Sequence, residues 1–282
     1  MNLELPKKEK VSKKRISIYL VAIGICIFAL SIVIGIQVLG DDIIDNMFGI
    51  NKLVKRTEQE EAKLKADFEN VFDNKLKNIN NYAIQKKDES LEIVYTNYQK
   101  EDKTDKHEIN INIPYINIEN KEVEVFNQEI INTFQLKAEE VLNNETDNII
   151  YTVKYKANIE NEILSLIIYS DLKQGTNAQR IIVQTFNYDL EENREFSLGE
   201  ILNKYDLNKN EVQNKVNRNI QEEQDKADEL RMLGYNVFSR NTDSEIYKLD
   251  NVKEIFINDN NIYLIFAYGN EHMTSEMDIV II

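Results

Sequence analysis

The sequence predicts an α+β protein: an N-terminal transmembrane helix and a helical stalk, followed by one or more antiparallel sheets with packed helices. Three observations lead to this prediction. Residues 16–39 form an apolar run without a charged side chain, and the residues after it carry apolar side chains at helical spacing. Beyond residue 82, segments in which apolar and polar residues alternate are interspersed with helical segments, which indicates sheets together with helices.

The apolar run at residues 16–39 is long enough to span a membrane. A helix rises about 1.5 Å per residue, so this run reaches about 36 Å and crosses a hydrocarbon core of about 30 Å with some tilt. Six basic residues stand directly before it, at Lys7, Lys8, Lys10, Lys13, Lys14 and Arg15. Because short basic flanks stay inside, we expect a single-pass protein of the cell membrane with a cytoplasmic N-terminus and an extracytoplasmic C-terminal domain. A cleavable signal peptide is the alternative, although the run exceeds the usual apolar length and no Ala-x-Ala pattern follows it.

The predicted organisation has five parts. Residues 1–15 are a cytoplasmic basic tail, residues 16–39 the transmembrane helix and residues 40–82 a juxtamembrane helical stalk. The extracytoplasmic domain has an N-terminal half, 83–144, and a C-terminal half, 145–282. The stalk is expected because apolar residues recur three and four positions apart in it, as on an amphipathic helix. A coiled-coil dimer through this stalk is an alternative, so the sequence leaves the oligomeric state open.

Alternating and helical patterns predict the elements of the extracytoplasmic domain. Strands are expected at residues 91–98, 109–113, 149–157, 162–172, 178–190, 255–258, 262–268 and 277–282, and helices at 120–142, 198–202 and 209–230. The third, fourth and fifth of these strands are expected to form an antiparallel meander. Pro114 indicates an edge strand or a bulge, because proline cannot donate to a sheet ladder. Gly175 and the segment 259–261 mark hairpin turns, and Ser197 with Glu200 has the spacing of a capping box.

The chain is strongly acidic outside its basic tail. The net charge is −15, and six basic and two acidic residues give positions 1–15 a charge of +4, which leaves −19 for the rest. Such a charge opposes binding to nucleic acid and accelerates association with a cationic partner. The alternative is that the surplus acid only keeps an exported domain soluble. Cys26, the only cysteine, lies within the apolar run, so the extracytoplasmic domain forms no internal disulfide.

Residues for a catalytic or metal site are scarce in the sequence. Such a site needs several convergent groups, and the two histidines, His107 and His272, lie far apart in the chain. We expect His107 to be a solvated side chain in a charged loop. No G-x-S-x-G elbow, P-loop or dinucleotide fingerprint occurs. We therefore expect no catalytic residue, no metal ligand and no cofactor.

The order of elements in the C-terminal part carries a resemblance to a known family. It rests on a strand, a proline and a helix at 109–134, strands at 164–171 and 181–189, the segment 196–202 before a long helix, and a hairpin at 255–268. Over roughly residues 84–282 the chain resembles the RsiV-like extracytoplasmic domain family of Gram-positive bacteria. This domain occurs in anti-sigma factors and beside the catalytic domain of PdaC-type peptidoglycan deacetylases.

The resemblance implies a compact α+β domain and, for the RsiV-type members, binding of lysozyme. Two departures limit what it implies for this chain. Residues 1–15 lack the longer cytoplasmic segment with which RsiV-type members hold a sigma factor, so a sigma-factor clamp is not expected. The histidine pair that a zinc-dependent deacetylase requires is also absent.

The closing turn departs from the family pattern and supplies our candidate ligand-binding residues. Members of the family have a Pro- and Gly-containing turn after the penultimate strand, whereas this chain has residues 268–276 there. The candidates are Tyr268, Asn270, Glu271, His272 and Glu276. A glutamate on either side of His272 in sequence could raise its pKa and make such a site responsive to pH, while the preferred alternative is that His272 is an ordinary surface histidine.

Together these observations predict a membrane-anchored, extracytoplasmic binding or sensor domain that performs no chemistry. Its expected partners are the membrane, through its own transmembrane helix, and a cationic protein such as lysozyme or a cell-wall glycan. No nucleic acid is expected. The alternatives are an accessory domain of a peptidoglycan-modifying enzyme and an envelope scaffold protein.

Overall fold

The computed structural model describes residues 58–69, 71–77, 79, 92–143, 149–175, 180–267 and 277–282. The predicted basic tail, the apolar run and the first part of the predicted stalk lie outside these ranges. No helix within them has both the length and the apolar composition needed to cross a membrane. All described residues belong to one compact unit.

Helices and strands are mixed along the described chain. The helices are α1 (Glu58–Glu69), α2 (Val71–Leu76), α3 (Lys121–Ile130), α4 (Leu136–Leu142), α5 (Leu198–Lys204) and α6 (Lys209–Met232). A π-helical turn, Ile131–Gln135, joins α3 to α4, and the 3₁₀ turns Glu245–Tyr247 and Leu249–Asn251 follow α6. The strands are β1 (Val94–Lys103), β2 (His107–Ile116), β3 (Ile149–Glu160), β4 (Ile163–Gln174), β5 (Arg180–Asp189), β6 (Arg194–Glu195), β7 (Glu254–Asn258), β8 (Asn261–Ala267) and β9 (Met277–Ile281). The predicted α+β class is confirmed.

Among the described strands, β1 to β6 form one sheet in sequence order, and β7 to β9 form a second. We call these the large sheet and the small sheet. Neighbouring strands are antiparallel except β2 and β3, which are parallel. The predicted antiparallel meander is confirmed as β3, β4 and β5.

The parallel pair β2–β3 differs from the predicted antiparallel sheet, and its cause is topological. α3 and α4 return the chain from the end of β2 to the start of β3, so both strands run in the same direction. The ladder between them ends at Ile111 and Val153, so Pro114 pairs only with β1. Opposite this part of β2, β1 has a bulge between Thr96 and Tyr98, which confirms the predicted irregularity.

Local signals in the sequence mark the turns and caps correctly. Gly175 has a φ of +54° after β4, and Asp259 and Asn260 have φ values of +51° and +59° between β7 and β8. These are the left-handed conformations that tight turns require. At the start of α5, the Ser197 N–H donates to a carboxylate oxygen of Glu200 at 2.9 Å, as the capping box predicts.

Buried apolar residues hold the layers of the described chain together. α3 and α4 cover one face of the large sheet, where Phe134, Ile111 and Tyr151 are almost fully buried. The other face of the large sheet packs on the small sheet, with Ile167 and Phe256 in the contact. α5, α6 and the 3₁₀ turns cover the remaining face of the small sheet. The small sheet is therefore buried on both faces, which requires the nearly continuous apolar sequence of β8.

The edge strand β7 is hydrogen-bonded to side chains of the large sheet. The Ile255 N–H donates to Thr185 Oγ1 at 2.9 Å, and the Ile257 N–H donates to Ser165 Oγ at 2.8 Å. Asn187 Nδ2 donates to the carbonyl oxygen of Ile255 at 2.8 Å. We call this set of contacts the polar seam. It satisfies backbone groups that an edge strand otherwise leaves unpaired.

The opposite edge of the small sheet is covered by α2. Lys75 Nζ donates to the carbonyl oxygen of Ile279 in β9 at 2.6 Å and lies 3.6 Å from Glu223 Oε1. Burial lowers the pKa of Lys75, although Glu223 opposes this shift. Phe72 and Leu76 of α2 are buried in the core between the sheets. The C-terminal part of the segment predicted as a stalk thus packs into the domain, while the boundary at residue 82 stays a prediction.

Arg240 and Asp278 form a buried ion pair beside α6. Their side chains are 1% and 2% exposed, and Arg240 Nη2 lies 2.8 Å from Asp278 Oδ1. The Tyr247 hydroxyl donates to Asp278 Oδ2 at 2.9 Å, and Arg240 Nη1 donates to the carbonyl oxygen of Glu223 at 3.0 Å. This network joins α6 to β9 and to the 3₁₀ turn Glu245–Tyr247.

We expect Arg240→Ala to lower the free energy of unfolding by about 3–5 kcal/mol, because it leaves Asp278 buried without its cation. Lys209→Ala removes an exposed ion pair with Asp250 and should cost less than about 1 kcal/mol. Chemical denaturation of the parent chain and both variants measures the difference. Equal effects of the two substitutions would show that the buried pair does not stabilise the fold.

Candidate functional site

The five candidate ligand-binding residues of segment 268–276 lie outside the described residues. The strands on either side of the segment are described. β8 ends at the exposed Ala267, and β9 begins at Met277, which packs against the core between the sheets. The role of the five residues stays a prediction.

The expectation that His107 is a solvated side chain is wrong. Its side chain is only 13% exposed, and its Nε2 atom lies 3.0 Å from Asp102 Oδ2. The hydrogen bond with His107 lowers the pKa of Asp102 below its ordinary value. The turn between β1 and β2 brings these residues together, so His107 closes a hairpin in the structure.

A cleft of about 540 Å³ opens where α3 passes the edge of the large sheet. α3, β5, β6 and the start of β7 form its walls. The charged residues that line it within the described chain are Lys121, Glu122, Glu129, Glu195, Lys253 and Glu254. We call it the acidic cleft. Glutamates outnumber lysines in this lining by four to two, so the cleft carries a negative charge.

The start of α3 positions one wall of the acidic cleft. Asn120 accepts a hydrogen bond from the Glu122 N–H at 2.7 Å and caps the helix. From this start, Glu122, Phe126 and Glu129 fall four and three residues apart, on one side of the helix. Phe126 stacks on Phe186 of β5 with 4.6 Å between ring centroids. The two rings give the acidic cleft an apolar floor.

Glu195 lies at one end of the acidic cleft, on the two-residue strand β6. Its backbone N–H donates to Glu122 Oε2 at 2.8 Å. Burial raises the pKa of Glu195, and the negative charges of Glu122 and Glu129 raise it further. A cation bound in the cleft would favour the ionised form of this side chain.

Glu254 lies at another wall of the acidic cleft, at the start of β7. Its Oε2 atom accepts hydrogen bonds from the Thr185 N–H at 2.7 Å and from Thr185 Oγ1 at 3.0 Å. Burial raises the pKa of Glu254, and the hydrogen bonds from Thr185 only partly oppose this. The acidic cleft therefore contains two carboxyl groups, Glu195 and Glu254, whose negative charge is incompletely compensated.

A second cleft, of about 350 Å³, lies further along β5 beneath α4 and the π-helical turn. Leu136, Leu172 and Ile182 supply much of its lining, and Leu136 and Ile182 are 51% and 38% exposed. We call it the apolar cleft. Lys137 and Arg180 are its basic residues. A π-helical turn is a rare element that often borders functional sites, which draws attention to this cleft.

Each cleft contains a buried oxygen atom without a hydrogen-bond partner among the described residues. Gln184 Oε1 lies in the lining of the acidic cleft, and Ser170 Oγ in that of the apolar cleft. Ser170 is 1% exposed. Tyr151, beside Ser170, keeps its proton, because burial raises its pKa to about 12. Buried polar atoms are normally paired, so a hydrogen-bond donor could supply the partner that Gln184 Oε1 lacks. The Ser170 hydroxyl interacts with Tyr151, which partly opposes the rise in the pKa of Tyr151.

The linings limit the chemistry that the clefts can support. No histidine, cysteine or serine occurs among the described residues that line the acidic cleft. Within the described ranges, no group of three or more His, Cys, Asp or Glu side chains is arranged to hold a metal ion. Carboxylates around an aromatic floor suit a lysine or arginine side chain, whose aliphatic stem packs on the rings while its charge meets the glutamates.

Sequence reasoning did not single out the glutamates of the acidic cleft. They are dispersed among 49 acidic residues and come from elements that are far apart in the chain. Only Glu122 carried a local signal, since it follows Asn120 at a helix start. That signal concerns the helix end and not a ligand.

We expect Glu195 and Glu254, whose pKa values are raised in the folded chain, to add to the free energy of unfolding as the pH is lowered from 7 toward about 4.5. Carboxyls with lowered pKa values, such as Glu200, contribute in the opposite direction. The folded chain takes up these two protons at a higher pH than the unfolded chain, whose glutamates titrate near about pH 4.3. Protonation therefore favours folding in this window, and the contribution is lost as the pH rises. Chemical denaturation at a series of pH values measures it.

The double variant Glu195→Gln/Glu254→Gln should lack this part of the pH dependence. The matched control Glu211→Gln/Glu222→Gln changes two exposed residues of α6 and should retain it. A pH profile of the cleft variant that coincides with that of the parent chain would contradict the assignment.

No protein-family model matches the chain, and no curated protein matches it in sequence. Among solved structures, the chain is similar to a DUF3298 family protein from Pseudomonas aeruginosa PAO1, with 11% identity and a TM-score of 0.37. The match covers 62% of this chain and 80% of that one. It is also similar to a DUF3298 family member from Bacteroides fragilis NCTC 9343, with 12% identity, a TM-score of 0.31 and the same coverage.

Proposed function

We propose that this chain is a single-pass membrane protein whose extracytoplasmic domain binds a cationic protein, such as lysozyme, and performs no chemistry on it. The observation that carries the proposal is the acidic cleft. It combines a negative lining with an apolar floor made by Phe126 and Phe186. This is the environment that a protruding lysine or arginine side chain needs.

The charge of the whole chain supports the same partner. The segment after the basic tail carries a charge of −19, obtained from the net charge of −15 and the +4 of positions 1–15. A field of this sign attracts a cationic protein from a distance and repels anionic polymers. The acidic cleft then supplies the short-range contacts through which such a partner would bind.

The pKa shifts in the acidic cleft add a thermodynamic argument. Burial raises the pKa values of Glu195 and Glu254 in the empty cleft, which means that ionising them there is costly. A bound cation would reduce this cost by pairing with the carboxylates. Part of the binding free energy would therefore come from relief of an unfavourable electrostatic arrangement that exists before binding.

The proposed location rests on the sequence. The basic residues at 7–15 and the uncharged run at 16–39 support an anchor with the N-terminus inside. The resemblance to RsiV-like domains supports an outward-facing binding role. The proposal is therefore an anchored binding domain that faces outward.

We expect full-length protein in lipid nanodiscs to bind immobilised lysozyme, with an affinity that falls as the salt concentration rises, because salt screens the opposite charges. The double variant Glu122→Gln/Glu129→Gln removes two carboxylates of the acidic cleft and should weaken binding about tenfold at low salt. Biolayer interferometry at low and physiological salt measures both effects.

The matched control for this experiment is Glu211→Gln/Glu222→Gln, which removes the same charge from exposed positions on α6. It should change the affinity less than twofold. Equal losses in both variants would mean that net charge acts without the cleft. No binding at either salt concentration would exclude lysozyme as the partner, and soluble cell-wall glycan would then be tested in the same way.

We expect Asn97→Cys to react with a membrane-impermeant maleimide on intact cells, since Asn97 is exposed on β1 and the domain is proposed to face outward. Cys26→Ala provides the cysteine-free background. Ser12→Cys, in the basic tail, should react only after the cells are permeabilised. Labelling of Ser12→Cys but not of Asn97→Cys on intact cells would show that the orientation is opposite to the one proposed.

A further inference from the structure

The edge of β5 is largely unoccupied by other strands among the described residues. β6 pairs only with Tyr188 and Asp189 at the end of β5. The Phe196 N–H donates to the carbonyl oxygen of Asn187 at 2.8 Å, and the Thr185 N–H donates to Glu254. Odd-numbered residues of β5 therefore direct their backbone groups away from β4.

Two further odd-numbered residues, Ile181 and Val183, precede these positions. No described residue hydrogen-bonds to their backbone groups on the side away from β4. Their N–H and C=O groups form an open stretch of sheet edge. Such an edge is a template for another strand.

The open edge lies beside the apolar cleft and ends at the acidic cleft, where Glu254 accepts the Thr185 N–H. The even-numbered side chains of β5 point toward the helix layer, where Ile182 lines the apolar cleft and Gln184 and Phe186 line the acidic cleft. Ile182 and Phe186 are four residues apart, which is about 13 Å along a strand. The two clefts are therefore spaced for side chains at positions i and i+4 of one extended segment.

The opposite wall is the helical segment that includes α3, the π-helical turn and α4. Val125 lines the acidic cleft and Leu136 the apolar cleft, and both are about half exposed. With Ile182 they leave apolar side chains in contact with water along the groove. Apolar surface arranged along a concave edge is typical of a binding site.

We propose that the two clefts and the β5 edge form one groove that takes an extended segment of the cationic partner as an additional strand of the large sheet. A lysine or arginine side chain of that segment occupies the acidic cleft, and an aliphatic side chain four positions away occupies the apolar cleft. This inference rests on the proposed function for the charge of the partner. It adds the conformation of the bound segment and its residue spacing.

Charge and hydrogen bonding select this occupant. The acidic cleft has an excess of carboxylates at one end of the groove, while Arg180 at the other end disfavours a second cation, since Lys137 there is paired with Glu140 at 2.8 Å. The unpaired Gln184 Oε1 can accept a hydrogen bond from a donor on the bound segment. A helix in the groove would leave the Ile181 and Val183 backbone groups unpaired, whereas a strand pairs them.

The test uses full-length protein in nanodiscs and the synthetic peptide acetyl-Thr-Lys-Thr-Val-Thr-Leu-Thr-amide, in which Lys and Leu are four positions apart on one face of a strand. The control peptide acetyl-Thr-Lys-Thr-Val-Leu-Thr-Thr-amide has the same composition, but Lys and Leu lie on opposite faces. We expect the first peptide to bind at least about tenfold more tightly by isothermal titration calorimetry. Equal affinities would overturn the proposed spacing.

Backbone pairing is tested on the peptide, so that the fold of the protein is not at risk. Methylating alternate backbone nitrogens removes the donors of one strand edge only. One of the two alternate sets should lower the affinity about tenfold or more, and the other should have little effect. Hydrogen exchange should also show that the peptide protects the Ile181 and Val183 amides. Amides that are already protected in the free protein, or two methylated sets with equal effect, would overturn strand addition.

Protein variants locate the apolar end of the groove. Ile182→Asp places a charge in the apolar cleft and should weaken peptide binding, while Ile150→Asp, at another exposed position in β3, should not. If lysozyme binds through the acidic cleft but neither methylation nor Ile182→Asp has an effect, the proposed function holds and this inference fails. If the peptide binds as described but lysozyme does not, the inference about the groove is retained and lysozyme is excluded as the partner.

Discussion

The polar seam between β7 and the large sheet is the contact on which the rest of the domain depends. The small sheet is buried on both faces, so an unpaired edge within the protein would cost the full desolvation of its N–H and C=O groups. Side chains of Ser165, Thr185 and Asn187 take the place of a neighbouring strand. The seam also brings the start of β7 against β5, which places Glu254 at the acidic cleft. The hydrogen bonds of the polar seam thus hold the two sheets together and also position a residue of the acidic cleft.

Some sheet edges of the described chain are covered by other elements, and one is open. The seam covers β7, and Lys75 together with α2 covers β9. β5 is different, because β6 ends after two residues and no other described strand pairs with the preceding part of β5 on that side. Long unprotected edges invite unwanted pairing, so proteins usually cover them or place charges on them. Here the open stretch lies between two clefts, and Arg180 and Glu254 stand near its ends.

Two sets of charged groups contrast with each other, one in the interior of the domain and one in the acidic cleft. In the interior, Arg240 neutralises Asp278 within a complete set of hydrogen bonds, which makes the pair specific and costly to break. In the acidic cleft, Glu195 and Glu254 lie near other carboxylates or in buried surroundings, without a matching cation at hydrogen-bond distance among the described residues. The first arrangement is complete within the chain. The second is not complete within the described residues, and we propose that a partner completes it, which is why the cleft and not the ion pair is the candidate site.

The sequence by itself determined the class of the fold, most of its helices and strands, and local features such as the Gly175 turn and the Ser197 capping box. These depend on interactions within a few residues, which a linear pattern records. It did not determine that β2 and β3 are parallel, that His107 contacts Asp102, or that glutamates from α3, β6 and β7 meet in one cleft. Those outcomes depend on which distant elements pack together. An individual glutamate has the same local pattern whether it faces water or a cleft, so only the tertiary structure decided where the charge converges.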